Sequence, residues 1–147
     1  MIIITKNEND EVSATAYTDE SFIPENLENA WIVNEKDLPK SPIHTWEIVD
    51  DVVTVSEEKL ALYKRSQYPK LTRYQFMRGL LEYGYKPSDI EAQIMLIEDE
   101  YTRELTMIGF KDATNFVRTD PSIDVMRDML KRTDLEIDEF WERSSSF

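Results

Sequence analysis

Few residues in this sequence are equipped for chemistry, and most of those have a simpler use. There is one histidine, His44, and there is no cysteine. That excludes a cysteine–histidine nucleophile pair, a disulfide framework and any thiolate zinc site. A catalytic serine needs a sharp, glycine-flanked turn of the G-x-S-x-G kind, and none occurs. His44 lies in a loop bounded by prolines and reads as a loop residue. The 3 glycines, Gly79, Gly84 and Gly109, fall within or beside expected helices. They leave no glycine-rich loop to cradle a phosphate.

Carboxylates are abundant, so pairs of them say little. Glu98, Asp99 and Glu100 are neighbours in sequence, but adjacent helical residues point in different directions. A solvated helix face is the plainer account of them. Asp134, Glu136 and Asp138 have the spacing that opens a calcium loop. The sixth place of such a loop needs glycine, and Glu139 stands there; a helix cap explains these acids better. The cations Lys64, Arg65, Lys70, Arg73, Arg78 and Lys86 have only Glu82 among them. They could meet phosphate, but their expected use is to pair with the acidic first half of the chain. No metal or cofactor set emerges. The remaining signal is aromatic: Tyr17, Phe22, Trp31 and Trp46 crowd into a short leading segment, with Asp50 and Asp51 beside them. Such side chains either pack against helices or supply apolar area with a polar handle to a partner.

The elements around these residues are well marked. Ile2 to Thr5 and Val12 to Thr18 are β-branched runs flanking an Asn/Asp cluster, which predicts a hairpin. Ala30 to Val33 is a candidate strand. Thr45 to Val55 predicts a second hairpin, with Asp50-Asp51 in the tight turn where glycine is the usual second residue. Ser56 caps a helix reaching to about Gln67, and Pro69 breaks it. Leu71 to Gly84 is a helix with both ends signalled. Thr72 and Gln75 form a capping box, Leu71 and Phe76 a hydrophobic staple, and Phe76, Met77, Leu80 and Leu81 an apolar stripe. Gly84 closes it and Pro87 stops continuation. Ser88 to Glu91 reads as a second capping box, leading a stripe of Ile90, Ile94, Ile97 and Tyr101. Leu105, Ile108, Ala113 and Phe116 then read as one further helix, in which Gly109 costs about 1 kcal/mol against alanine. Asp120-Pro121 opens another helix. Thr133 and Glu136 box the last, which carries Ile137, Phe140 and Trp141. The fold class expected is α+β: a small β-rich unit over residues 1–55, then a helical bundle of about five helices over residues 56–147. The expected core includes Phe76, Leu80, Ile94, Ile97, Phe116 and Phe140.

Charge separates the same two parts. The net charge is −13, and Met1 to Leu60 carries 4 basic and 14 acidic residues against 13 and 16 in the remainder. Direct binding to nucleic acid or to an anionic membrane is disfavoured by this balance. The apolar opening is too short for a secretory signal. No apolar run approaches the roughly 20 residues that span a bilayer.

Leu71, Thr72, Arg73, Gln75, Phe76, Leu80, Leu81 and Gly84, followed by Phe110, Asp112, Ala113 and Phe116, Asp120-Pro121, and Ile137, Asp138 and Phe140, resemble a pattern in small proteins encoded among the tail genes of phages and prophages. The first half is similar to the leading segments of tail-fibre assembly and baseplate accessory proteins, through Trp46, Ile48, Asp50, Asp51 and Val53; Asp51 replaces the glycine of that pattern. The resemblance implies a non-enzymatic structural or assembly protein that binds a tail-fibre or baseplate component. It would act in the host cytoplasm during assembly and could join the virion. No catalytic residue carries over. The charge supports a second reading, a small acidic inhibitor of a host nucleic-acid-binding enzyme, of the anti-restriction or anti-CRISPR kind. On either reading the partner is a phage or host protein, no cofactor is required, and Tyr17, Phe22, Trp31, Trp46, Asp50 and Asp51 are the expected contact residues.

Overall fold

The computed structural model describes all residues from Met1 to Phe147. Strands gather toward the N-terminus and helices follow, an α+β fold. The chain forms two compact units, Met1–Lys64 and Arg65–Phe147.

In the first unit, β1 (Ile2–Lys6) is the centre of a three-stranded antiparallel sheet between β2 (Val12–Ala16) and β3 (Ala30–Val33). Ile2 stands opposite both Ala16 and Val33. Ile3 and Ile4, successive residues of this central strand, are both buried although they point to opposite faces. The β1–β2 turn is built by Asn7, whose side-chain oxygen accepts the Asn9 and Glu11 N–H groups, each at 2.9 Å. A second hairpin pairs β4 (Trp46–Val49) with β5 (Val52–Val55). Its turn residues Asp50 and Asp51 have φ of 50° and 62°. Positive φ at both is what a two-residue hairpin turn matched to strand twist requires, and aspartate tolerates it better than most residues. Ile4, Trp46 and Val53 form a small core, with Trp31, Val33 and Leu38 against it. The helix α1 (Glu57–Ser66) begins where the Ser56 hydroxyl accepts the Lys59 N–H at 3.3 Å.

The second unit is organised on α2 (Arg73–Glu82). Thr72 and Gln75 make both bonds of the capping box, at 3.2 and 2.9 Å. Gly84, with φ of 86°, ends the helix. The Tyr85 N–H reaches the Leu80 carbonyl at 2.8 Å and the Gly84 N–H that of Leu81 at 3.0 Å, the paired bonds of a Schellman end. Just before the helix, β6 (Leu71–Thr72) pairs with β7 (Asn115–Phe116). The other helices are α3 (Pro87–Ile94), α4 (Glu100–Asp112), α5 (Pro121–Met129) and α6 (Asp134–Ser144). Phe76 stacks on Phe116 with ring centroids 3.9 Å apart and meets Phe140 edge-on at 5.5 Å. Trp141 is fully buried and donates its indole N–H to the Pro69 carbonyl at 2.8 Å. Each such side chain contributes on the order of 1.5–3 kcal/mol by burial. At Gly79 the helices α2 and α6 pack too closely for a side chain: a Cβ there would overlap the Ser144 hydroxyl and lie 2.9 Å from the Phe140 ring.

Several sequence expectations are corrected. Ser88 caps nothing, because Pro87 occupies the first helical position and the Asp89 carboxylate accepts the Lys86 N–H at 3.4 Å. The stripe from Ile90 does not continue to Tyr101. Helix α3 ends at Ile94, Ile97 is only half-buried in the connection, and Asp99 starts a new helix by accepting the Thr102 N–H at 2.8 Å. Tyr101, Leu105 and Ile108 lie on the exposed side of α4. Phe116 belongs to β7 instead of a helix, since pairing with Leu71 holds it extended. Leu81 is also exposed, because α2 buries the narrower face made by Phe76, Gly79 and Leu80.

Candidate functional site

The six residues expected to contact a partner lie in the first unit, and the structure brings three of them together. Asp51, held in the left-handed turn, accepts the Trp31 indole N–H on its carboxylate at 2.8 Å. This ties β3 to the tip of the β4–β5 hairpin and fixes the Trp31 ring, which is half-buried. Asp50 is exposed beside Asp51, and Val49 and Val52, paired across the turn, both expose their side chains. The tip therefore combines one fixed aromatic, two apolar branched side chains and two carboxylates.

The other three stand apart from it. Trp46 is 7% exposed and part of the unit's own core, donating its N–H to the Ser41 carbonyl at 2.8 Å. Its face is spent on packing. Tyr17 is half-buried, its N–H bonded to the Met1 carbonyl at 2.9 Å. Phe22 ends a short helical turn, Glu20–Phe22, capped by Asp19, and is 69% exposed. No hydrogen bond or ring contact joins Tyr17 or Phe22 to the tip. Sequence reasoning missed Val49 and Val52 as surface residues. Their alternation in the hairpin was visible, but the face each would take depends on the register.

The charged constellations in the second unit hold the fold together. Arg118 is 3% exposed, and its guanidinium meets Asp138 at 2.8 Å and Asp134 at 3.2 Å. Arg65 joins Asp138 at 3.0 Å and Arg127 joins Asp134 at 2.8 Å. Hydrogen bonding from Arg127 holds the Asp134 carboxyl below the usual carboxylate range, against some opposing desolvation. Glu136 is lowered first by the Thr133 backbone N–H it accepts and then by Arg132. Of the three acids with calcium-loop spacing, Asp134 and Asp138 thus share Arg118, while Glu136 is taken up by the Thr133 N–H and Arg132. Among Glu98, Asp99 and Glu100, only Asp99 is engaged, as the α4 cap, and its pKa is lowered by that bonding to Thr102. Burial and a bond to Glu142 push the Tyr68 hydroxyl up to about 12.

The expected pairing of the basic cluster with the first half is also corrected. Arg65 binds Asp138, Arg73 donates to the Phe110 carbonyl at 2.6 Å, and Arg78 faces Glu82 at 3.9 Å. All three acceptors belong to the second unit. His44 sits edge-on to Tyr63, ring centroids 5.1 Å apart, and no serine or carboxylate bonds it. A partly open pocket of about 100 Å³ lies between the core residues Phe76, Leu80, Ile123, Met126 and Phe140 and the polar side chains of Tyr85, Arg132, Glu136 and Glu139. No helix is long and apolar enough to cross a membrane. Compared with protein-family models, curated proteins and solved structures, the chain matches none.

Proposed function

We propose that this protein is a non-enzymatic binding protein of phage or prophage origin that helps assemble a tail fibre or baseplate. It acts in the host cytoplasm, with or without retention in the finished particle. The observation that carries the reading is the hairpin tip. Trp31 is fixed on Asp51 at 2.8 Å beside exposed Val49 and Val52, a small anchor of the kind that protein partners bury. In its neighbouring sheet β2 and β3 are the outer strands, and a partner strand could add to such an edge. The resemblance in sequence supplies the tail context. The acidity of Met1–Lys64, with 14 acidic and 5 basic residues, favours the second reading, an acidic inhibitor of a nucleic-acid-binding enzyme.

Affinity capture with the full-length protein from a lysate of phage-producing cells tests both. A tail component should be retained, and should stay bound at ~1 M salt, where screening acts over ~3 Å. Val49→Lys/Val52→Lys, altering only exposed side chains, should abolish that capture. Capture that survives the double substitution would remove the tip from the reading. Release of a nucleic-acid enzyme at moderate salt would favour the inhibitor.

A further inference from the structure

We propose that the outer face of α4, with the groove beside it, binds a basic amphipathic helix of a partner protein. Helix α4 buries Thr106 and Phe110 inward. Its opposite side carries Tyr101, Leu105 and Ile108, which are 75%, 54% and 57% exposed. Their spacing is that of one continuous helical stripe, the pattern that ordinarily faces a core. Beside the stripe runs a groove of about 610 Å³, bordered by Ile108, Gly109, Phe116, Val117, Ile123 and Val125. A helix as long as α4 presents roughly 20 Å of such surface, room for three or four turns of a docked helix.

Gly109 is the second observation. It lies inside α4, has no positive φ, and a Cβ added there would meet nothing within 4 Å. Neither backbone conformation nor internal packing calls for glycine, although glycine weakens a helix interior. It borders the groove, and what a missing Cβ provides there is close approach by another backbone.

Charge selects the occupant. Residues 98–124 contain seven acids and three bases. Arg118 is buried against Asp134 and Asp138, Lys111 pairs with Glu91, and Arg103 with Glu104. Of the acids without a cation partner, Asp120 lines the groove and Asp112, four residues after Ile108, shares the side of the stripe. A second copy would set this acidic rim against itself and bring together two chains of charge −13. A helix with an apolar stripe flanked by lysines or arginines matches both the groove and its rim.

The test uses the full-length protein and labelled helical peptides of 13 residues, the length of α4. One carries leucines at i, i+3, i+4 and i+7 with lysines elsewhere; its counterpart carries glutamates in place of the lysines. The lysine peptide should bind saturably and the glutamate peptide should not. Leu105→Asp/Ile108→Asp should weaken binding at least tenfold without unfolding the protein. Gly109→Ala should weaken it several-fold while raising the melting temperature, two effects that a merely structural glycine would not combine. Val49→Lys/Val52→Lys should bind the peptide as wild type does, which separates this surface from the hairpin tip. Absence of saturable binding overturns the proposal, as does binding indifferent to Leu105, Ile108 and Gly109. So would sedimentation showing a dimer that Leu105→Asp/Ile108→Asp disrupts, or scattering showing that this variant expands the chain by releasing its own first unit.

Discussion

Arg118 brings a permanent charge into the second unit, and Asp138 and Asp134 meet it there. Removing one member of such a group strands the other, which costs more than an exposed pair would return. Asp138→Ala should therefore destabilise by about 3 kcal/mol, read by urea unfolding; a loss within experimental error would mean that water solvates Arg118. The carboxylates give a pH signature. Asp99, Asp134 and Glu136 have folded pKa values below their ordinary values of 3.8, 3.8 and 4.5. Their contribution is present in full above the unfolded carboxylate range and is lost as pH falls through the depressed folded values. The urea midpoint should hold steady down to about pH 5 and then drop. At the other extreme Tyr68, raised to about 12, contributes stability that is lost as pH climbs from 10 toward that value. The acids of this network were legible in sequence as cap residues. Their partners Arg65, Arg118 and Arg127 were not, because each arrives from another segment and no periodicity links them.

At the scale of elements, the helix ends give the sharpest test. Thr72→Ala and Thr133→Ala each remove a hydroxyl that accepts an N–H at 3.2 Å and should cost about 1 kcal/mol. Ser88→Ala, at the second helical position, should change stability by no more than about 0.5 kcal/mol. Equal losses at all three would restore Ser88 as a cap. Gly79→Ala should destabilise by about 1–3 kcal/mol or more, since α6 leaves no room for a methyl group; if the variant unfolds like wild type, the helices are looser than described. The ends of a helix bounded by a box and a glycine, such as α2, were readable, although its buried face proved narrower than the apolar stripe. The break between α3 and α4 was not, because Asp99 is one of three adjacent acids and only the folded geometry shows which one turns back to cap.

For the whole molecule, the division of charge and the α+β class were legible, since both are properties of long stretches. Which apolar stripe faces outward was not. Periodicity reveals that Tyr101, Leu105 and Ile108 share a side; whether that side meets the same chain, another chain or water is decided by neighbours distant in sequence. The second unit has its own aromatic core, so a chain beginning at Ser56 should keep its helical circular dichroism and a cooperative melt. Loss of helix in that fragment would show that the second core depends on the first 55 residues.

The placement of the tryptophans has an optical consequence. Trp31 and Trp46 belong to one compact unit and Trp141 alone to the other. Trp141 is sealed among phenylalanines, so its fluorescence should peak at short wavelength and be poorly quenched by iodide. Trp31, partly in contact with water and bonded to a carboxylate, should emit further to the red. With Trp31 and Trp46 replaced by phenylalanine, the remaining emission would report on the second unit alone, and a partner seated on the hairpin tip would change the spectrum of Trp31 while leaving that of Trp141 untouched. Trp46, buried in the first unit, would emit in the same short-wavelength range as Trp141, so the order in which the halves melt is read by comparing the wild type with the Trp31→Phe/Trp46→Phe variant.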